Sequence, residues 1–169
     1  MSAPDYFQFF GLEPRLGIDL GDLERRFYRL SRELHPDRFT RGTHAEQERS
    51  LEASAVLNDA YRTLRDPIAR AEYLLKRLEL AADSKQAEPA PPELLEEVFA
   101  LNEALEERNA AQLEAGRLRF EAARTQADAE LQALFARFDA GDSAVPAQIR
   151  AVLNRRRYIV NLLATAAHV

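Results

Sequence analysis

Apolar residues recur at spacings of three and four along almost the whole chain, and no segment shows the strict alternation that is typical of a strand. In the first half, this spacing predicts four helices: Asp5 to Phe10, Asp19 to His35, about Thr43 to Arg65, and Ile68 to about Leu78. In the second half it predicts three longer ones, at about 92–108, 110–139 and 145–167. We therefore predict an all-α protein.

The predicted helices fall into two groups. Residues 80–91 interrupt the helical pattern with a segment rich in alanine and proline, which is typical of a linker. This segment separates an N-terminal domain, residues 1–79, from a C-terminal domain, residues 92–169. Three long helices with short connections predict an antiparallel three-helix bundle for the C-terminal domain.

Composition and charge exclude several classes of function. The 169 residues are 46% hydrophobic and 30% charged, as in soluble globular proteins. A net charge of −5 argues against a general nucleic-acid binder, and the absence of cysteine removes disulfides, thiol nucleophiles and cysteine metal sites. No apolar run approaches the roughly 20 residues that cross a bilayer, and the N-terminus lacks a signal pattern. We expect a cytoplasmic protein with no membrane contact.

The second predicted helix has one apolar and one basic face. At about 100° per residue, the apolar face is formed by Leu20, Leu23, Phe27, Leu30 and Leu34. The opposite face carries Arg25, Arg29 and Arg32, with Arg26 beside them. A row of arginines is usually only a solvated surface, so this face by itself does not indicate a function.

Directly after this helix come His35, Pro36 and Asp37, followed by Arg38. The tripeptide by itself is also compatible with an ordinary turn. A catalytic pair is a weaker interpretation, because the proline between His35 and Asp37 holds them in a poor geometry for general-base work and no nucleophile is apparent.

The order of these segments resembles a J-domain, the module that stimulates ATP hydrolysis by DnaK-type chaperones. The resemblance covers residues 3 to about 75, and it includes the sequence DYF at residues 5–7, HPDRF at 35–39 and NDAYRTL at 58–64. It implies an antiparallel helical hairpin with short flanking helices. It also implies a set of chaperone-binding residues: His35, Pro36, Asp37, Arg25, Arg26, Arg29, Arg32 and Arg38, the last in place of a lysine found in many J-domains.

The whole chain resembles the HscB-type J-proteins of iron–sulfur cluster assembly. The second half has no Gly/Phe-rich stretch and no cysteine-rich zinc module, and residues 64–75, LRDPIARAEYLL, lead into an acidic helical bundle. The resemblance implies two partners, an HscA/DnaK-type chaperone and an IscU-like scaffold protein.

The first helix of the bundle has an apolar stripe and a mixed face. Leu94, Val98, Leu101 and Leu105 form the stripe, so Leu95 and Phe99 are expected to be at least partly exposed among glutamates. The alternative is that the bundle core or the N-terminal domain covers these two side chains. The resemblance implies that this helix binds the scaffold, with contacts from Leu95, Glu96, Phe99, Glu103, Glu107 and Tyr158. Glu96 and Ala100 depart from the pattern of relatives, which often carry another apolar and another acidic side chain at these two positions.

The last helix is expected to turn its inward face toward the bundle core. That face carries Ile149, Val152, Leu153, Val160 and Leu163. Tyr158 points nearly opposite and is expected to be an exposed aromatic, whereas Arg156 falls on the inward side with no partner that the sequence identifies.

The leading hypothesis is a non-enzymatic co-chaperone that captures the scaffold and triggers ATP hydrolysis by the chaperone. Two alternatives stay open: a J-domain protein with a different client, and, less favoured, a metal-binding or enzymatic protein that uses His35 and Asp37. We assign no cofactor and no metal site, because His44 and His168 lack a second ligand at metal spacing. A monomer is favoured over an oligomer.

Overall fold

The computed structural model describes residues 4–81 and 91–167, and all regular secondary structure in these two stretches is helical. Within these two stretches the α-helices are α1 (Tyr6–Phe10), α2 (Leu20–Leu34), α3 (His44–Arg65), α4 (Pro67–Ala81), α5 (Leu95–Glu106), α6 (Ala110–Asp139) and α7 (Val145–Ala167). Short 3-10 turns at Pro36–Phe39 and Pro92–Leu94 precede α3 and α5. This architecture confirms the all-α prediction. Of the predicted linker, residues 82–90 lie outside the described residues.

The helix boundaries follow from local capping chemistry. Asp5, Asp19 and Thr43 each accept a hydrogen bond from a backbone N–H of the first turn of α1, α2 and α3, respectively. Thr43 and Glu46 satisfy each other's backbone N–H groups in a capping box. Gly11 ends α1 with a φ of 65°, a left-handed conformation that glycine adopts without strain.

The chain divides into two compact units, Met1–Leu78 and Glu79–Val169. In the first unit, Phe27 of α2 stacks on Tyr61 of α3 with ring centroids 4.1 Å apart. The hydroxyl of Ser50 donates a hydrogen bond to the carbonyl oxygen of Leu34. Leu34 comes after Phe27 in α2, whereas Ser50 comes before Tyr61 in α3, so the two helices run antiparallel. The core of this unit contains Phe7, Phe10, Leu16, Leu23, Leu57, Leu64, Leu74 and Leu75.

The predicted apolar face of α2 is unevenly buried: Phe27, Leu30 and Leu34 are half-buried. Leu20 is exposed, whereas Leu23, one turn further along, is fully buried. Leu20 is the first residue of α2. The periodicity of a helix gives the direction of a side chain but not whether a neighbour covers it, so the prediction for Leu20 was wrong.

The second unit is an antiparallel bundle of α5, α6 and α7. One of its clusters of buried side chains contains Leu101, Phe120 and Ile159, one from each helix. Other apolar side chains buried in the bundle include Leu131, Leu134, Phe135, Val145, Ile149, Val152 and Leu153. Ion pairs connect Arg155 to Glu130, at 2.5 Å, and Arg156 to Asp128, at 2.6 Å, across α6 and α7. The inward Arg156 is therefore paired with a carboxylate of α6, which the pattern of α7 alone does not predict.

In the second half of α7, the sequence predicted the wrong residue for the inward face. Ile159 is buried, and Val160 is exposed. The α5 helix has 12 residues against 30 in α6, so it covers only part of the α6–α7 hairpin. Where α5 is present, the buried side of α7 turns toward it and Ile159 replaces Val160 in the core.

Candidate functional site

The His-Pro-Asp loop is a short, ordered corner between α2 and α3. His35 caps the 3-10 turn Pro36–Phe39, and the N–H of Arg38 donates to the carbonyl oxygen of His35 at 3.0 Å. The side chains of His35 and Asp37 are 56% and 87% exposed, respectively. Proline fixes its own φ and narrows the backbone choices of the residue before it. The corner therefore presents an imidazole and a carboxylate to solvent from a stiff backbone.

Hydrogen bonding within the loop assigns the proton of a neutral His35. The backbone N–H of Asp37 donates to Nδ1 of His35 at 3.2 Å, so that nitrogen is an acceptor. The Asp37 carboxylate oxygen lies 3.6 Å from the same nitrogen, which has no proton left to donate to it. The proton is therefore on Nε2, and the exposed loop offers one donor, Nε2–H, and one free carboxylate as an acceptor.

The basic face of α2 combines freely exposed arginines with one that is tied down. Arg25 and Arg29 are largely exposed, and their carboxylate partners on α2 are distant, at 3.5 and 4.0 Å. Arg32 is also exposed. The side chains of these three arginines are therefore exposed to solvent.

Arg26 has a structural task in addition to any binding role. Its Nε donates to Asp22 at 2.7 Å, and its Nη1 donates to the carbonyl oxygens of Phe10 and Gly11 at 2.9 and 3.0 Å. The hydrogen bond from Arg26 is also the main cause that lowers the pKa of Asp22. Arg26 therefore joins α2 to the end of α1. Helical periodicity does not predict this role, because it depends on contacts between residues that are 15 and 16 positions apart in the chain.

Arg38 extends the basic surface past the loop. Its side chain is exposed, and its Nη1 lies 3.5 Å from the carbonyl oxygen of Arg32 near the end of α2. A cation near a helix C-terminus is favourable, because it faces the negative end of the helix dipole. Charge is thus retained at the position where many J-domains carry lysine.

In the second unit, α5 exposes two large apolar side chains among carboxylates. Leu95 is 51% exposed and Phe99 is 72% exposed, so the described residues do not cover them. Glu96, Glu103 and Glu107 are exposed nearby, and Glu107 lies at the residue that ends the helix rather than inside it. We call these five residues the acidic-apolar face.

Tyr158 of α7 is more covered than the sequence predicted. It is partly buried rather than an exposed aromatic. Within the described part of the chain, no ring stacking joins Tyr158 to Phe99. The structure therefore does not bring Tyr158 into the acidic-apolar face as a paired aromatic.

A shallow groove separates α5 from α6 next to the acidic-apolar face. Its lining includes Ala100, Leu101, Gly116 and Phe120. Glu97 and Arg119 form an ion pair of 3.4 Å at its edge. The groove gives this side of the bundle a concave surface with both an apolar floor and charged walls.

The described residues, 4–81 and 91–167, contain no group of three or more side chains that could hold a metal ion. His44 lies 3.2 Å from Glu48, one turn further along α3, and His168 lies outside the described residues. None of the helices in these stretches combines the length and apolar character that a membrane span needs.

Comparison with known proteins gives a consistent set of relatives. Residues 90–167 match a family model described as the HSCB C-terminal oligomerisation domain. A co-chaperone protein HscB homolog from Neisseria meningitidis serogroup C is 39% identical over 105 residues, which are 62% of this chain and 63% of that protein. The alignment thus spans less than two thirds of the length of this relative.

Two solved structures share the fold over nearly the whole chain. The chaperone HscB from Vibrio cholerae has a TM-score of 0.71 and 27% identity, with 98% of this chain and 96% of that chain covered. The crystal structure of the human co-chaperone protein HscB has a TM-score of 0.72 and 24% identity, with 97% and 81% covered. The second likeness supports the fold alone.

Proposed function

We propose that this chain, whose relatives are HscB co-chaperones, is a member of the same family and links an iron–sulfur cluster scaffold to a chaperone ATPase. In this proposal, residues 92–169 bind an IscU-like scaffold, and residues 1–79 stimulate ATP hydrolysis by an HscA/DnaK-type chaperone. In this proposal the protein itself performs no chemistry and works in the cytoplasm. The observation that carries the proposal is the presence of two exposed surfaces of opposite charge on two separate units.

The surface for the chaperone is basic and rigid at its centre. Arg25, Arg29 and Arg32 provide positive charge that attracts an acidic partner and speeds its association. His35 and Asp37 then make directional hydrogen bonds, because their backbone is fixed by Pro36 before the partner arrives. In this proposal, binding at the corner favours the conformation of the chaperone that hydrolyses ATP.

The surface for the scaffold is acidic and apolar. Phe99 and Leu95 supply area that is exposed in the free chain and can be removed from water on binding. Glu96, Glu103 and Glu107 surround them, so a scaffold with basic residues around an apolar patch fits this face best. Tyr158 adds less than the sequence predicted, since part of its surface is already covered.

The experiment that tests the proposal separates the two surfaces with one pair of histidine variants. His35→Gln removes the imidazole from the loop, and His44→Gln changes an exposed histidine at the start of α3, whose partner is Glu48 on its own helix. The steady-state ATPase rate of an HscA/DnaK-type chaperone and the affinity for the scaffold are measured with both variants and with the unchanged chain.

The proposal predicts that His35→Gln abolishes stimulation, keeps the affinity for the scaffold, and differs from His44→Gln, which retains both activities. Full stimulation by the His35→Gln protein would remove the proposed mechanism. A parallel pull-down with the scaffold and one unrelated client tests the partner. Capture of the unrelated client alone would favour a J-domain protein with another cargo.

A further inference from the structure

The end of α2 leaves one backbone carbonyl in need of a partner directly before the His-Pro-Asp loop. The last carbonyls of a helix have no N–H four residues ahead to bond with. Pro36 has no N–H, and the N–H of Arg38 donates to His35 instead of to Leu34. The carbonyl oxygen of Leu34 therefore depends on a donor from outside α2.

Two serines of α3 supply that donor. The hydroxyl of Ser50 donates to the carbonyl oxygen of Leu34 at 2.7 Å, and the hydroxyl of Ser54 donates to the same oxygen at 3.1 Å. Residues four apart share one face of a helix, so both hydroxyls reach the oxygen from the same side. Ser50 is 4% exposed, and a polar group so deeply buried needs its hydrogen bond.

The hydroxyls of Ser50 and Ser54 bond to a neighbouring helix and not to their own. A serine inside a helix commonly turns its hydroxyl back to the carbonyl four residues earlier in the same helix. Ser50 and Ser54 instead bond across to α2, 16 and 20 residues away in the chain. Serine is also a weaker helix former than alanine, the residue at the neighbouring positions 53 and 55. The hydroxyls thus serve the contact with α2 rather than α3 itself.

We propose that Ser50 and Ser54 are positioning residues that fix the His-Pro-Asp loop on α3. The inference rests on the proposed function, since it names what orients the corner that contacts the chaperone. Both serines act through the carbonyl of Leu34, which is adjacent to His35 in the chain. Loss of the two bonds leaves this carbonyl without its donors and lets the start of the loop move away from α3.

The test compares Ser50→Ala, Ser54→Ala and the double variant with two controls. Ser54→Thr keeps the hydroxyl at the less buried of the two positions and serves as the rescue. Ser31→Ala removes a hydroxyl from α2 itself, where no side-chain hydrogen bond of Ser31 is found among the described residues. For every protein, the backbone amide resonances of residues 37–39 are recorded in the free chain, together with the thermal unfolding midpoint and the concentration that gives half-maximal stimulation of the chaperone ATPase.

We expect the half-maximal concentration to rise about fivefold for each single alanine variant and more than about tenfold for the double variant. The amide resonances of residues 37–39 shift in the same order, Ser54→Thr restores both readouts, and Ser31→Ala changes neither. The inference is overturned if the double variant keeps the original resonances, or if Ser54→Thr behaves like Ser54→Ala. Should the unchanged chain fail to stimulate the chaperone, the proposed function fails, while the resonances still decide whether the serines position the loop.

Discussion

Phe99 and Phe120 give a matched test of the claim that α5 presents a binding face. Phe99 is 72% exposed, and Phe120 is 2% exposed in the bundle core. A phenylalanine side chain offers roughly 200 Å² of surface, so about a quarter of that is covered at Phe99 in the free chain. At about 25 cal/mol per Å², the covered part stabilises the fold by about 1.4 kcal/mol at most. Alanine's higher helix propensity offsets part of that loss.

The same side chain has much more to contribute to a complex. Complete burial of the exposed part of Phe99 removes about 140 Å² from water, which corresponds to about 3.5 kcal/mol as an upper limit. A side chain that anchors an interface typically contributes about 2 kcal/mol or more. Phe99→Ala is therefore expected to weaken scaffold binding at least roughly 30-fold, while Phe120→Ala lowers the free energy of unfolding by about 3–5 kcal/mol.

Calorimetric titration with the scaffold measures the affinity, and urea unfolding measures the stability of each variant. We expect Phe99→Ala to unfold within about 1 kcal/mol of the unchanged chain. An unaltered scaffold affinity for Phe99→Ala would place the binding site elsewhere on the chain. A loss of stability as large as that of Phe120→Ala would show that Phe99 is packed in solution, which contradicts the exposed face.

Three further outcomes follow from the packing and capping of individual residues. Gly116→Ala is expected to stabilise the chain by about 1 kcal/mol in urea unfolding, because the added Cβ meets only ordinary contacts at 3.9 Å inside α6; a loss of stability would contradict this. Leu23→Ala costs about 2–5 kcal/mol and Leu20→Ala no more than about 1 kcal/mol, and equal losses would refute the difference in burial. Hydrogen bonds from Thr43 lower the pKa of Glu46, so its contribution is present at neutral pH and is lost as the pH falls through that lowered pKa. The stability difference between the unchanged chain and Glu46→Gln is expected to shrink toward zero on acidification, and a difference that does not change with pH would be evidence against the capping box.

Local signals in the sequence predicted most helix boundaries. Asp19 and Thr43 were expected to begin α2 and α3, and the structure places each of them as the cap residue. Pro36 ends α2 at the expected position. These features depend on a few neighbouring residues, so one sequence contains the information that they need.

Contacts between helices could not be predicted in the same way. The Arg156–Asp128 pair and the bonds from Ser50 to Leu34 join residues on different helices, and helical periodicity gives no rotation of one helix against another. The burial of Ile159 in place of Val160 has the same origin, since it depends on how far α5 extends along α7.

For the proposed scaffold surface, the sequence predicted the exposure of side chains on α5 better than on α7. Leu95 and Phe99 were expected to be exposed from their angle to a narrow stripe, and they are exposed in the structure. Tyr158 was assigned by the same reasoning, yet it is partly buried. The difference arises because α5 has one clear buried side, whereas the buried side of α7 changes along its length. The binding roles of these residues stay predictions.

The central claim is that one chain couples scaffold binding to ATP hydrolysis by the chaperone. The most direct measurement is the steady-state ATPase rate of an HscA-type chaperone at a fixed, subsaturating concentration of this chain while the scaffold is titrated. We expect a rate well above the sum of the rates with the chain alone and with the scaffold alone, and a return to that sum with Phe99→Ala. A purely additive rate with the unchanged chain would refute the coupling.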